Sequence, residues 1–255
     1  MSKGYVLGSL WVIAAVLFGA AEGFADRISR QAEISALSGQ VEFLKGGAGD
    51  WEKAALNQKL ESGDKIRTGP GSGATLALDD GSVLQLSPEA EFAIQTLSRD
   101  SNTKQLESLL AILKGKVRAQ VTPLTEGSRF EIETPAMVAA VRGTTVNVGL
   151  NPDNTIGASS EDGTVDLIRE GENSFTAALD TGEELLIEHN PETGEIKLTC
   201  VSGPVDVVGP DGVTRTMNSG DILIFSGGAA TFIPLTPPGG DAPVGGALSE
   251  PPSGK

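Results

Sequence analysis

The chain has 255 residues, with 34 acidic and 19 basic side chains, so its net charge is −15. This acidity argues against a nucleic-acid partner, because phosphate binding depends on surplus Lys and Arg. Cys200 is the only cysteine and His189 the only histidine. This excludes an internal disulfide and a Cys-rich metal cluster, and it makes a histidine metal site or catalytic triad hard to build. The 33 glycines favour short strands and tight turns over long helices.

Residues 1–25 have the layout of a secretory signal peptide. Lys3 supplies a short positive region, Val6 to Ala21 form an apolar run, and Gly23 and Ala25 are small residues at a plausible cleavage site. At ~1.5 Å per residue the run spans roughly 24 Å, less than a ~30 Å hydrocarbon core. We therefore expect cleavage and an extracytoplasmic protein, periplasmic or secreted. Membrane attachment is expected only if this segment is retained as an anchor.

The C-terminal residues 234–255 are rich in Pro and Gly and contain only scattered apolar side chains. Such a composition cannot bury enough apolar surface to offset the entropy lost on ordering. We expect a disordered tail, and a folded region that ends near residue 233.

Apolar and polar residues alternate through much of the remaining chain, which predicts strands with one buried face. Asp80-Gly81 lies between two such stretches and predicts a hairpin turn. Leu106 to Leu113 look helical by composition, but alternation resumes at Val117, and we interpret this stretch as a strand. Clear examples of the alternation are Ala74–Leu78, Phe130–Ile132, Val146–Leu150 and Ile196–Cys200.

A strand–turn–strand repeat is also visible. Ser38–Phe43 recurs as Ser202–Val207, and each is followed downstream by Ser-Gly-Asp, at Ser62–Asp64 and Ser219–Asp221. A third, looser copy is Gly163–Leu167, which leads to Gly182–Leu185. One such unit cannot bury its own apolar face, whereas stacked units can. We therefore predict an all-β fold of repeated units stacked as a β-roll, sandwich or short solenoid, with a first segment at 34–160 and a second at 161–233.

The order of motifs from Ser38 to about Asp166 resembles the FecR domain, which is named for an iron-dicitrate sensor-regulator of the Gram-negative envelope. The most specific part is Phe130–Pro135 followed by Val141–Thr144. The resemblance implies an extracytoplasmic β-rich domain for sensing or protein interaction, without enzymatic chemistry. Only a few residues precede the apolar run, so we do not expect the cytoplasmic anti-sigma region of the family's sensor-regulators. The family-motif positions, structural or interacting, are Gly63, Asp64, Thr68, Gly69, Asp80, Gly81, Arg142, Gly143 and Thr144.

Several residues allow a ligand interpretation beside a structural one. Arg142 could bind an anion, or it could pair with a local acid beside a turn formed by Gly143. Asp79 and Asp80 could bind calcium, although an Asp-Gly hairpin uses an acid in any case. Trp51 could pack on the core edge or stack on a sugar. We predict no catalytic residue, no metal and no cofactor.

Two function classes remain open. The first is a non-enzymatic sensing or protein-interaction module of the bacterial cell envelope, whose partner could add a strand to a sheet edge. The alternative is an extracellular structural protein that binds a carbohydrate or another envelope polymer, for which Trp51 is the main argument. We expect the partner to be an envelope protein or polymer.

Overall fold

The computed structural model describes residues 27–235, so the predicted signal peptide at 1–25 and nearly all of the predicted tail at 234–255 lie outside the described residues. The described chain consists of β-strands and one 3-10 turn at Lys45–Gly47, which confirms the predicted all-β class. Within residues 27–235, no helix has the length and apolar character needed to cross a membrane.

The strands form two sheets in which all neighbours are antiparallel except β10 and β11. Sheet A contains, in spatial order, β4 (Glu52–Lys53), β3 (Val41–Leu44), β6 (Lys65–Thr68), β9 (Glu91–Asp100), the first part of β10 (Leu106–Gln120), β11 (Arg129–Glu133), β12 (Val138–Val141), β15 (Val165–Arg169), β16 (Phe175–Leu179), β19 (Val205–Val208) and β20 (Thr214–Met217), with β1 (Arg27–Ser29) beside β9. Sheet B contains β5 (Lys59–Leu60), β2 (Ala32–Ser38), β7 (Gly73–Leu78), β8 (Val83–Leu86), the last part of β10, β13 (Thr145–Leu150), β14 (Thr155–Asp162), β17 (Glu184–His189), β18 (Ile196–Ser202), β21 (Ile222–Ser226) and β22 (Ala229–Ile233).

The long strand β10 belongs to both sheets. Its first part pairs with β9 in sheet A, and its last part pairs with β8 and β13 in sheet B. The change of sheet occurs at Gly115, where φ is +78° and an added Cβ would lie 2.6 Å from the Cα of Ala90. Only glycine fits there without strain. The stretch from Leu106 to Leu113 is strand, as its return to alternation at Val117 predicted.

After β10 the hairpins alternate between the sheets. β11–β12 lie in sheet A, β13–β14 in sheet B, β15–β16 in sheet A, and the pattern continues to β21–β22. The apolar face of a hairpin must be buried against another layer, and the next hairpin of the chain packs against it. The inner faces form one core, in which the rings of Phe175 and Phe225 stack with centroids 6.2 Å apart.

Pairing continues across position 160, the predicted boundary between the two β segments. β14 ends at Asp162 and pairs with β13 on one side and with β17 on the other. The apolar residues of both segments belong to the same core. The boundary at residue 160 therefore separates two segments of the sequence, but both sheets and the core continue across it.

A turn with the order Ser/Thr-Gly-acid is present in three structurally equivalent copies, at Glu61–Asp64, Asp180–Glu183 and Asn218–Asp221. In each copy the acid accepts a hydrogen bond from the backbone N–H of the first turn residue, at 2.9, 2.8 and 2.8 Å respectively. The glycine at the third position has φ of +92°, +84° and +91°. Its N–H donates to a strand of the neighbouring hairpin, at 2.7, 2.8 and 2.7 Å. Each turn joins a strand of one sheet to a strand of the other.

Replacement of Asp64 by Ala should destabilise the fold more than replacement of Glu183. Asp64 is 1% exposed and also accepts the N–H of Gly46 at 2.8 Å and pairs with Lys45 at 3.1 Å. Its loss would leave two backbone donors unpaired, at a cost of about 2–3 kcal/mol, whereas the partly exposed Glu183 should cost about 1 kcal/mol or less. Urea unfolding of both variants checks this prediction, and equal losses of unfolding free energy would contradict it.

Candidate functional site

Seven of the nine family-motif residues lie along one end of the strands, which we call the turn rim. It consists of the turns at 61–64, 78–82, 121–123, 142–145 and 160–164. The strand register places these turns together. Ala32 pairs with Leu60 on one side and with Leu78 on the other, which brings the first two turns to the same end. Gln120 likewise pairs with Val83 and with Thr145, which adds the next two turns. Gly63, Asp64, Asp80, Gly81, Arg142, Gly143 and Thr144 belong to this rim, whereas Thr68 and Gly69 do not.

Asp80 is held by a buried arginine. The side chain of Arg30 is 2% exposed, and its Nη2 lies 2.7 Å from Oδ1 of Asp79 and 3.0 Å from Oδ2 of Asp80. Its Nη1 donates to Oγ of Ser108 at 2.9 Å, which connects sheet A to the hairpin of sheet B. Asp80 also accepts the N–H of Ser82 at 2.9 Å, and the N–H of Gly81, at φ +86°, donates to Leu78. The two carboxylates thus have an arginine as their counter-ion, which favours the structural interpretation of Asp79 and Asp80 over calcium binding.

The Arg142–Thr144 turn combines a packed part and an exposed part. Gly143 has φ +108°, and an added Cβ would lie 2.6 Å from the Cα of Pro123. Thr144 is buried and its hydroxyl donates to Asp162 at 3.2 Å. Arg142 is 80% exposed and lies 3.9 Å from Asp166, which is a loose surface pair. Gly143 and Thr144 therefore fix the turn, and Arg142 is presented to solvent.

The remaining predicted residues lie elsewhere. Thr68 bridges two segments at the opposite end of the strands, with its hydroxyl donating to Ser87 at 2.7 Å and accepting from the N–H of Ala90 at 3.0 Å. Gly69 donates to Gln40 at 2.9 Å. The guanidinium of Arg67 lies 4.2 Å from the centroid of the Trp51 ring, so one face of the indole is covered by a cation.

A groove runs along the outer face of sheet A, over β11, β12 and β15; we call it the sheet A groove. Two adjoining cavities of about 490 and 530 Å³ form it. Val138, Ala140 and Ile168 form an apolar floor, because they are cross-strand neighbours on the outward face. Both cavities share Arg129, Glu131, Ala140 and Ile168. The floor is half-buried and apolar, although it lies on the outward face of the sheet.

The walls of the sheet A groove carry charges of both signs. Arg142 lies at the end near the turn rim, and Arg169 lies at the other end. Arg129 bonds Glu107 at 2.6 Å and is 59% exposed, while Glu131 is 28% exposed. Arg169 donates to the carbonyl of Ala136 at 2.8 Å, and burial lowers its pKa. An apolar floor between mixed charges suits a polypeptide, whose side chains supply both kinds of contact.

A smaller depression of about 310 Å³ lies on the outer face of sheet B, where Gly149 pairs with Gly157. The side chain of Lys116 lies across Gly149, since an added Cβ there would meet its Cγ at 2.7 Å. Next to the depression, Arg118 forms a bidentate pair with Glu161, with Nε 2.7 Å from Oε1. This pair, with the amide of Asn147, lowers the pKa of Glu161 to about 2.

Among residues 27–235, no group of three or more His, Cys, Asp or Glu side chains is arranged to hold a metal ion. Cys200 is 1% exposed, and burial together with Asp221 and Glu183 raises the pKa of its thiol to about 11. His189 ends β17, with its Nε2 3.5 Å from Nη2 of Arg169. Burial and this guanidinium lower the pKa of His189.

Sequence reasoning missed Arg30 and the sheet A groove. Arg30 follows a three-residue strand and precedes Gln31 in a polar stretch, so nothing local indicates burial. The apolar residues of the groove floor belong to strands whose inner faces are also apolar. A run such as Val138–Val141 carries the signal, since four consecutive apolar residues indicate a strand buried on both faces or covered by a partner.

Residues 64–166 match the model of the FecR protein family, which confirms the predicted resemblance. The match includes β6 through the start of β15, and Trp51 and Gly63 precede it. No curated protein matches the chain. Two crystal structures of a candidate anti-sigma factor from Parabacteroides distasonis ATCC 8503 are similar, with TM-scores of 0.40 and 0.41 and identities of 18% and 19%. The alignment covers 61% of this chain and 60% of each of those chains.

Replacement of Arg30 by Ala should cost about 3 kcal/mol of unfolding free energy, because it leaves the buried carboxylate of Asp80 without its cation. Arg99→Ala is the matched control, since Arg99 contacts Asp79 at 3.4 Å in a pair about 40% exposed on both sides. That exposed pair should contribute about 1 kcal/mol or less. Urea unfolding compares the two, and a loss for Arg30→Ala no larger than that for Arg99→Ala would contradict the structural role.

Glu161 should stabilise the protein in a pH-dependent way. Its pKa is about 2 in the folded state, below its ordinary value near 4.5, so its contribution is present above about pH 4.5 and is lost as the pH falls through 2. The melting temperature of Glu161→Gln should therefore lie below that of the unmodified protein at pH 7, and the two should converge near pH 2. A constant difference down to pH 2 would show that the Arg118 pair does not set this pKa.

Proposed function

We propose that this chain, in which residues 64–166 match the FecR family, is a non-enzymatic extracytoplasmic module for sensing or protein interaction, and that it binds its partner protein along the sheet A groove. The observation that carries the proposal is the position of the groove. Its floor and walls are built mainly by β11 and β12, the strands of the most specific FecR motif. Arg142, a motif residue exposed to solvent, stands at its end.

The other motif residues of the turn rim have structural roles, in contrast to Arg142. Asp64, Asp80 and Thr144 are buried and bonded within the protein. They hold the turns in place, and their side chains are not presented to a partner. Arg142 differs, because its only ion pair within residues 27–235 is the loose contact with Asp166. A motif that fixes a turn and presents one cation next to an apolar groove is suited to protein recognition.

The groove favours a polypeptide over an anionic small molecule. Arg129 and Arg142 could attract a carboxylate, but Glu131 and Glu133 line the same surface and would oppose it. The apolar floor of Val138, Ala140 and Ile168 supplies contact area that an anion would not use.

The carbohydrate alternative depends on Trp51. Its indole is packed against the guanidinium of Arg67, which in turn donates to Glu42 at 2.7 Å. This arrangement favours packing, because a sugar would have to share the ring with a cation that is already bonded. Trp51→Ala thus serves as the variant that separates the two functions.

The proposal is tested by capture of partners from bacterial envelope extract with tagged full-length protein. We expect Ile168→Asp and Arg142→Glu each to reduce the captured partner at least about tenfold, because a carboxylate at the floor or a reversed charge opposes the contact. Lys53→Glu is the control, since it reverses an exposed charge on β4, away from the groove.

The variants must first be shown to fold, by circular dichroism and by an unchanged melting temperature. Capture that persists in both groove variants but fails in Trp51→Ala would overturn the proposal in favour of polymer binding. Capture reduced equally by Lys53→Glu would show a general effect of charge and would also contradict the groove as the contact surface.

A further inference from the structure

The C-terminal end of the stack presents a free strand edge. Within residues 27–235, β22 (Ala229–Ile233) pairs with β21 and with no other strand. It has no charged residue, no proline and no bulge, and Phe232 and Ile233 are 39% and 47% exposed. Natural sheets usually protect such an edge with charges, proline or very short strands. β22 has none of these protections.

The surroundings of β22 are as unusual as the strand. Residues 222–235 contain no charged side chain, although 21% of the chain is charged and the net charge is −15. For a protein this acidic, contact between two copies is opposed by repulsion over most of its surface. The β21–β22 hairpin is therefore a place where a second copy can approach with little electrostatic cost.

At the other end of the stack, β5 pairs only with Ala32 and Glu33 of β2, and a bulge between Ile34 and Ala36 interrupts the rest of that edge. The last strands at this end, β4 and β5, are two residues long each, and three of their four residues are the charged Glu52, Lys53 and Lys59. An edge of this kind does not pair easily with another strand. Head-to-tail growth into a filament is therefore disfavoured, and an isologous contact through β22 alone would close as a dimer.

The hydrogen-bonding pattern shows which groups of β22 are free. Gly227 and Gly228 have φ of +57° and +73°, and they form the two-residue loop of a type I′ hairpin. In such a hairpin the flanking pair, Ser226 and Ala229, is hydrogen-bonded, and bonded and non-bonded pairs then alternate. Thr231 and Ile233 thus bond to β21. The N–H and C=O groups of Ala230 and Phe232 point to the open edge.

The sequence of β22, Ala-Ala-Thr-Phe-Ile, is complementary to itself in antiparallel pairing about Thr231. In this register Ala230 faces the partner's Phe232, so the free N–H and C=O groups of both strands meet. Ala229 faces the partner's Ile233, and Thr231 faces the partner's Thr231. Each small side chain opposes a large one, and the central Thr–Thr pair is a favourable cross-strand pair.

We propose that two copies of this chain associate through antiparallel pairing of β22, with Thr231 on the twofold axis, so that sheet B continues from one copy into the other. The charge-free hairpin and the self-complementary register both favour a second copy as the occupant. This inference does not depend on the proposed function, because the sheet A groove lies on a different sheet.

The chain's own tail is a weaker candidate for the same edge. In residues 236–255 the longest stretch without proline or glycine is 247–250, four residues. Proline cannot donate to a ladder and glycine weakens a strand. The backbone N–H of Leu235 donates to Asp221 at 2.7 Å, so the described chain leaves β22 toward the turn at Asn218–Asp221.

The test uses single cysteines in the full-length protein, oxidised with glutathione disulfide. Thr231→Cys should give a covalent dimer in high yield, because a non-hydrogen-bonded pair has its Cα atoms ~4.5 Å apart, within disulfide reach. Ala229→Cys is the matched control on the same face of the same strand. In the proposed register its two copies lie roughly 14 Å apart, beyond disulfide reach. Cys200 is buried and should remain a thiol.

Sedimentation of the unmodified protein over a dilution series should show a reversible dimer. Thr231→Lys should weaken self-association by roughly fourfold or more, since it places like charges opposite each other. Gln120→Lys, exposed on the outer face of β10, should leave it unchanged. A monomer at all concentrations, or equal cross-linking of the Thr231→Cys and Ala229→Cys variants, would overturn the proposal. A monomer that dimerises once residues 236–255 are removed would identify the tail as the occupant and would also overturn it.

Discussion

The structure depends on one constraint, which is that each hairpin in the described part of the chain has an apolar face that it cannot cover itself. The chain meets the constraint by passing from one sheet to the other after each hairpin, so that successive hairpins cover each other. The passage between sheets exposes backbone donors, and the repeated acid turns bond them. The turn motif therefore recurs in the sequence because the chain passes between the two sheets repeatedly. β10 passes from sheet A to sheet B within a single strand, and the change occurs at Gly115.

Much of the fold could be predicted from the sequence, because its signals are local. Period-two alternation, the Asp80-Gly81 hairpin and the Ser-Gly-Asp turns each depend on residues close in the chain. The third and loosest copy of the turn, Asp180–Glu183, has the same geometry as the others, although glutamate replaces aspartate. What could not be predicted requires contacts between distant residues. The parallel pairing of β10 and β11 and the bond from Arg30 to Ser108 are of this kind.

In the candidate site, too, local sequence signals were predictable and contacts between distant residues were not. The family motif includes Arg142–Thr144, but the sequence did not show that Arg142 is exposed while Gly143 and Thr144 are packed. The groove beside it arises from the outward side chains of β12 and β15, and only the unbroken apolar run Val138–Val141 signals it in the sequence. Trp51, singled out for its size, lies against Arg67. Composition thus identified the unusual residues, and packing decided which of them are exposed to solvent.

The alternation of hairpins also bears on how such a protein can change in length during evolution. Successive hairpins of the chain belong to alternate sheets, so each sheet receives every second hairpin. In sheet A, for example, β15–β16 is followed by β19–β20. Duplication of two consecutive hairpins would lengthen both sheets equally and preserve the core. Duplication of one hairpin would leave one sheet longer, with an apolar face open to water. Homologous stacks should therefore differ in size by pairs of hairpins, a parity rule that follows from the connectivity alone.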